Sequence, residues 1–143
     1  MSKALNIADH IAAHLNGLPA LTGVTTLVDR QKDLTADIAL KVAKIGGCVT
    51  ILYSGFSNPD AAGGGLPRVL RRYDVTIYAR PILAGVGTLA ADDILEAVAT
   101  GLHLWEPQEA VPGFVEIQVS GGGLRGDRKY LIYDLDVEVL SRL

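Results

Sequence analysis

The chain has 143 residues, 49% of them apolar and 20% charged, with a formal net charge of −3. That length suits one domain with a core that needs no disulfide or metal to hold it, and the apolar fraction excludes intrinsic disorder. The negative balance removes the bulk attraction on which sequence-independent nucleic-acid binders rely.

Residues 2–15 place Leu5, Ala8, Ile11, Ala12 and Leu15 at helical spacing, with Lys3, Asn6, His10 and His14 turned away, and Asn16-Gly17 as the stop. Residues 24–28 form a short β-branched strand. Asp33 or Thr35 then caps a second helix through Ile38, Val42 and Ile45, which Gly46-Gly47 ends. Residues 48–53 read as a strand, and residues 54–67, with Asn58-Pro59-Asp60 and three consecutive glycines, as a loop. From 68 to 80 the period is two: Val69, Tyr73, Val75, Ile77 and Ala79 face a core, while Arg72, Asp74, Thr76, Tyr78 and Arg80 face outward. Pro81 ends this strand, and a loop through Gly85 and Gly87 leads to Thr88, the cap of a helix carrying Leu89, Ile94, Leu95, Val98 and Leu102. Asp92, Asp93 and Glu96 suit the positive end of its dipole. Two strands, 114–119 and 129–140, close the chain, joined by a long Gly-rich segment at 120–127. The order α-β-α-β-β-α-β-β predicts an α+β fold, a mixed and largely antiparallel sheet with helices packed on it, in a single domain spanning residues 1–143.

Cys48 has no intramolecular partner, and Met1-Ser2-Lys3 leads into an amphipathic segment rather than an apolar signal run, so the expected compartment is the reducing cytoplasm. Charged residues or Gly/Pro breaks interrupt every apolar run before the roughly 18 residues of a membrane span.

Chemical motifs are sparse. Gly85-x-Gly87-x-x-Ala90 has the spacing of a dinucleotide fingerprint, but four residues separate it from the preceding strand, which is not the first of a βαβ unit. His10 and His14 have metal-ligand spacing on the polar stripe of the first helix, yet Ile11 stands where a protease would carry Glu. Ser54-Gly55 and Ser120-Gly121 lack the glycine that shapes a nucleophile elbow, and Cys48 sits in apolar sequence. Arg125-Gly126-Asp127 is read as turn chemistry. On the last strand Asp134, Asp136 and Glu138 share one face, too widely spaced for one metal ion, with Tyr133, Leu135, Val137 and Val139 on the other. Together with Arg72 and Arg80 these carboxylates either pair within the sheet or meet another copy of the chain, which makes the five residues a candidate subunit interface. No catalytic, cofactor or metal site is expected.

The phrases Ile51-Leu52-Tyr53-Ser54-Gly55-Phe56, Arg72-Tyr73-Asp74-Val75-Thr76-Ile77-Tyr78-Ala79-Arg80 and Tyr133-Asp134-Leu135-Asp136-Val137, with the N-terminal helix and the helix at 91–104, carry a further signal. They resemble the small tail terminator, or tail completion, proteins of Mu-like bacteriophages and prophages. The resemblance implies a structural, non-enzymatic virion protein that forms a ring, usually hexameric. Such a ring caps the tail tube, ends its polymerisation and presents a surface to the neck. Implied partners are further copies of the chain, the tail tube protein and sheath, and neck or head-completion proteins. DNA would pass only as cargo, through a bore that an acidic protein leaves non-adhesive. The implied locations are the virion tail, of the contractile type, and the host cytoplasm during assembly. A head–tail connector of the same virion, or a small nucleotide-binding enzyme built on Gly85 and Gly87, are the alternative expectations.

Overall fold

A computed structural model of the chain describes residues 2–30, 33–45, 47–58, 68–79, 91–125 and 131–142. The elements follow the order α1 (Lys3–Asn16), β1 (Thr25–Asp29), α2 (Thr35–Ile45), β2 (Gly47–Ser57), β3 (Arg68–Ala79), α3 (Ala91–Leu102), β4 (Phe114–Leu124) and β5 (Leu131–Arg142), with a 3-10 turn at Pro19–Leu21. The strands form one mixed sheet in the order β1-β2-β3-β5-β4. β1 runs parallel to β2 and every other neighbour pair is antiparallel, so the fold is α+β as expected.

Ser2 caps α1 by accepting the Leu5 N–H, and Gly17 closes it by donating to the Ala13 and His14 carbonyls. The buried stripe is Ala4, Ile7, Ala8, Ile11, Ala12 and Leu15. It is rotated from the predicted one at its first turn, because Ala4 and Ile7 lie under the helix and Leu5 is only half-buried. Asp33 accepts the Thr35 N–H at the head of α2, and hydrogen bonding from the Thr35 side chain first, then from its backbone, lowers the Asp33 carboxyl from its ordinary value. The Thr88 cap predicted for α3, like Leu89, lies outside the described residues.

The period-two pattern divides the helices between the two faces of the sheet. Val49, Ile51, Tyr73, Val75, Ile77, Ile117, Leu135, Val137 and Val139 point to α1 and α3 and form the main core with Ile7, Ile11, Leu15, Ile94, Val98 and Leu102. Full burial of each such side chain contributes about 1.5–3 kcal/mol. α2 lies on the opposite face, where Ile38 and Val42 pack on Cys48 with Leu27 and Tyr78 beside them. Tyr78, predicted to face outward, is therefore under a helix. Among the described residues no helix covers the remainder of this second face, centred on β3 and β5.

Two strands run well past the bounds that the sequence predicts. β2 begins at Gly47 and continues to Ser57, through residues predicted as loop. β4 continues through the glycine run to Leu124, pairing Gly121 with Asp136, Gly122 with Leu135 and Gly123 with Asp134. Both extensions pass a register shift, at Ser54 in β2 and at Ser120 in β4, and such a bulge lets a strand proceed after its alternation slips by one residue. Arg71, absent from the predicted core, points into it at 7% exposure. Its Nε donates to Ser141 Oγ at 3.2 Å, its Nη1 donates to Tyr53 Oη at 3.1 Å, and its guanidinium lies over the Tyr53 ring. Tyr73 Oη donates to the Ala4 carbonyl at 2.7 Å, which ties β3 to the head of α1.

The sheet edges are managed unequally. On the outer edge of β1, the Asn16 carboxamide imitates a neighbouring strand: Oδ1 accepts the Thr26 N–H at 2.8 Å and Nδ2 donates to the Thr26 carbonyl at 3.2 Å. On the outer edge of β4, the chain leaving α3 does the same. Leu104, in the left-handed region at φ 57°, donates its N–H to the Ile117 carbonyl, and His103 Nδ1 accepts the Val119 N–H.

Two predictions follow from these contacts. Asn16→Ala leaves the Thr26 backbone groups without a partner at a buried residue and is expected to lower stability by about 1–3 kcal/mol, read from the urea midpoint. Within the glycine run, a Cβ at Gly122 would lie 2.5 Å from Leu135 Cδ2 and 2.8 Å from the Asp134 carbonyl oxygen, whereas one at Gly121 or Gly123 meets nothing within 4 Å. Gly122→Ala should therefore lower the thermal midpoint, while Gly121→Ala and Gly123→Ala should each add about 0.5–1 kcal/mol by removing glycine's backbone entropy cost.

Candidate functional site

The uncovered face of β3 and β5 is built by a ladder that pairs residues in rows. From one end to the other the outward pairs are Arg68 with Arg142, Leu70 with Leu140, Arg72 with Glu138, Asp74 with Asp136 and Thr76 with Asp134. The sequence left open whether Arg72 and the carboxylates of the last strand are neighbours in one sheet. They are, yet among the described residues Arg72 makes no ion pair; the pairs present are Arg30–Asp9 and Arg125–Asp134, the latter at 3.5 Å. Arg80 lies outside the described residues.

A depression of about 470 Å³ opens over the middle rows, lined by Ser54, Arg72, Asp74, Ser120, Asp136 and Glu138 among others. Its flanks are the two bulges. Ser54 Oγ donates to the Arg72 carbonyl and Ser120 Oγ to the Asp136 carbonyl, each at 3.1 Å. Each hydroxyl proton is thus held by a backbone oxygen of the adjoining inner strand, and no described base activates either serine, so neither has the surroundings of a nucleophile.

Asp74 and Asp136 stand directly across from one another, the unfavourable arrangement for like charges on a sheet. Burial first, then the charges of Asp136 and Asp134, push the Asp74 carboxyl up, and Arg72 opposes this. Thr76 relieves the third carboxylate by donating its hydroxyl to Asp134 Oδ1 at 3.0 Å. Among the described residues no group of three His, Cys, Asp or Glu side chains is arranged to hold a metal ion.

The other sequence candidates are dispersed. His14, predicted to be solvated, is half-buried: its ring stacks on Trp105 with centroids 4.2 Å apart, and its Nε2 donates to the Gly101 carbonyl at 2.9 Å. That nitrogen is not available to share a metal with His10. Cys48 is fully buried under α2, and burial raises its thiol to about 11, which keeps it protonated and unreactive near neutrality. Gly85, Gly87 and Ala90 lie outside the described residues, as do Gly126 and Asp127 of the Arg-Gly-Asp tripeptide. The bulges escaped the sequence reading, although each carries the same dipeptide, Ser-Gly, at the point where apolar alternation changes phase.

Compared with protein families and with curated proteins, the chain matches none. The site is thus described by its own geometry: an acidic sheet face that no described helix covers, with arginines toward one end.

The raised Asp74 sets a pH test. Because its folded-state pKa lies above the unfolded one, the folded chain binds more protons in the acid range, and this group's contribution to stability falls as pH rises through that window. Asp74→Asn is expected to stabilise the chain at pH 7, most strongly at low salt, and to leave it unchanged below pH 3. Urea midpoints measured between pH 3 and 7 check this.

Proposed function

We propose that the chain is a structural virion protein that closes into a ring, hexameric in this reading, at the head-proximal end of a phage tail. There it caps the tail tube, ends its polymerisation and offers the surface joined to the neck. The observation that carries the reading is the charge order along the open sheet face, with Arg68 and Arg142 at one end and Asp74, Asp134 and Asp136 toward the other. A surface of this polarity complements a copy of itself packed head to tail, the arrangement that generates rings. The phrases that resemble tail terminators support the same reading, since they fall on β2, β3, α3 and β5, the elements that make this face and its backing.

The proposed subunit contact sets Asp134, Asp136 and Glu138 of one copy against arginines of the next. Arg72 serves as a local neutraliser within its own row. Each exposed pair contributes about 0–1 kcal/mol and weakens with salt, so the pairs fix register while apolar contacts supply affinity. Sedimentation and negative-stain images are expected to show rings, free or on the ends of purified tail tubes. Asp136→Lys with Glu138→Lys should abolish rings while circular dichroism stays native. Adding Arg68→Glu and Arg142→Glu should restore part of the assembly. A chain that stays monomeric and never binds tail tubes overturns the proposal, and binding to portal complexes instead makes the chain a head–tail connector. A nucleotide-using enzyme would show itself by a thermal shift with NAD or ATP.

A further inference from the structure

The ladder between β4 and β5 determines which backbone groups of β4 point away from the sheet. Arg125 donates its N–H to the Ile132 carbonyl, which makes these two a hydrogen-bonded pair. Alternation then directs the N–H and C=O of Gly123 and Gly121 inward to β5, and those of Leu124 and Gly122 outward. The register shift at Ser120 reverses this phase, so Val119 and Ile117 point outward, and these are the two residues that His103 and Leu104 satisfy. Beyond Val119 the cover stops, and no described residue meets the outward groups of Gly122 and Leu124.

A strand edge with free donors and acceptors is a template for another strand, and proteins ordinarily blunt it with lysine, proline, a bulge or a covering segment. This chain blocks β1 with Asn16 and the middle of β4 with His103 and Leu104, yet among the described residues nothing covers 121–124. Residues 121–124 carry no charge and no proline, and Leu124 is 59% exposed. Two of the three glycines have no reason among the described residues: Gly121 and Gly123 have neither a positive φ nor a described neighbour that a Cβ would touch. Their missing side chains leave Asp136, opposite Gly121, uncovered toward this edge by β4, while Asp134, opposite Gly123, keeps Arg125 and Thr76 beside it.

We propose that the outer edge of β4 at residues 121–124 receives an extended, basic segment of a partner protein, which joins the sheet as a sixth strand. Main-chain bonds to Gly122 and Leu124 provide the pairing. Charge complementarity selects the occupant: side chains on the open face of the added strand would lie beside Asp134 and Asp136, with Asp74 and Glu138 behind them, so lysine or arginine at alternate positions fits. A second copy of β4 paired about a two-fold axis would bring the two acidic faces together. The inference stands on the edge of β4 and is independent of ring formation.

The test uses the full chain and a fluorescein-labelled octapeptide alternating lysine with valine, followed by anisotropy at low salt. Saturable binding is expected, with at least tenfold weaker affinity at 0.5 M salt and for the same peptide with glutamate in place of lysine. Leu124→Pro removes an outward donor and leaves the bonds to β5, so it should weaken binding at least tenfold. N-methylation of alternate peptide residues should do the same to the unaltered protein, which keeps the test valid if the proline variant fails to fold. Absence of binding, equal binding of the glutamate peptide, or binding indifferent to N-methylation overturns the proposal. So does a chain whose own dimer, rather than peptide binding, is lost on Leu124→Pro.

Discussion

The unbroken ladder between β3 and β5 is the constraint on which the rest of the structure depends. Twelve consecutive pairs, from Arg68 with Arg142 to Ala79 with Leu131, run without a register shift. Because side chains alternate across a strand, this register commits Tyr73, Val75, Ile77, Leu135, Val137 and Val139 together to the side of α1 and α3. A slip of one residue would turn one strand over relative to the other and place either Asp74 or Asp134 and Asp136 in the main core, where desolvation of unpaired carboxylates is prohibitive. The apolar half of each strand thus fixes where the charged half must appear, and the acidic face is a consequence of the core as much as a surface of its own.

Polar groups also enter the core, and they sit where separate elements must be joined. Tyr73 is fully buried, yet its hydroxyl is satisfied by donating to the Ala4 carbonyl in the first turn of α1. Arg71 keeps a guanidinium at the end of the same strand through neutral hydrogen bonds to Tyr53 and Ser141 and the face of the Tyr53 ring. Burial of a charge is tolerated when its donors find partners, and here two of the five are taken by residues of β2 and β5, the two neighbours of β3. The central strand is therefore fastened to both flanking strands and to α1 by side chains as well as by its ladders.

The fold class was legible because the periodicities are clean: a period near 3.6 in α1 and α3, a period of two from Val69 to Ala79 and along β5. What was not legible had physical causes. Arg71 interrupts the apolar positions of β3, and only the three-dimensional proximity of Tyr53 and Ser141 makes its burial acceptable. Tyr78 follows the polar phase of β3 but is covered by α2, a placement that no pattern within β3 reports. The parallel pairing of β1 with β2 depends on how the chain passes through α2. The candidate interface was legible as alternating charge, whereas the choice between pairing in the sheet and pairing across copies required the strand order. Glycine was the most misleading residue: three in a row read as a loop, yet a strand that is paired on one side and bare on the other can contain them.

The two bulges give the open face its shape. A bulge raises local twist and bends the strand that carries it. Ser54-Gly55 in β2 is opposite Tyr73 and Arg72, and Ser120-Gly121 in β4 is opposite Val137 and Asp136, so the disruptions meet at the Tyr73–Val137 row from either side. Each serine then anchors its bulge to a carbonyl of the inner strand. A flat sheet would set flanking side chains directly beside Asp74 and Asp136 and bury them further, adding to the desolvation that already raises Asp74. By bending the outer strands at that level, the bulges leave a solvent-filled depression over the repelling pair, and water screens the repulsion that the register imposes. The same two dipeptides that fail as nucleophile elbows thereby serve as the structural means by which an uninterrupted β3–β5 ladder can carry like charges face to face.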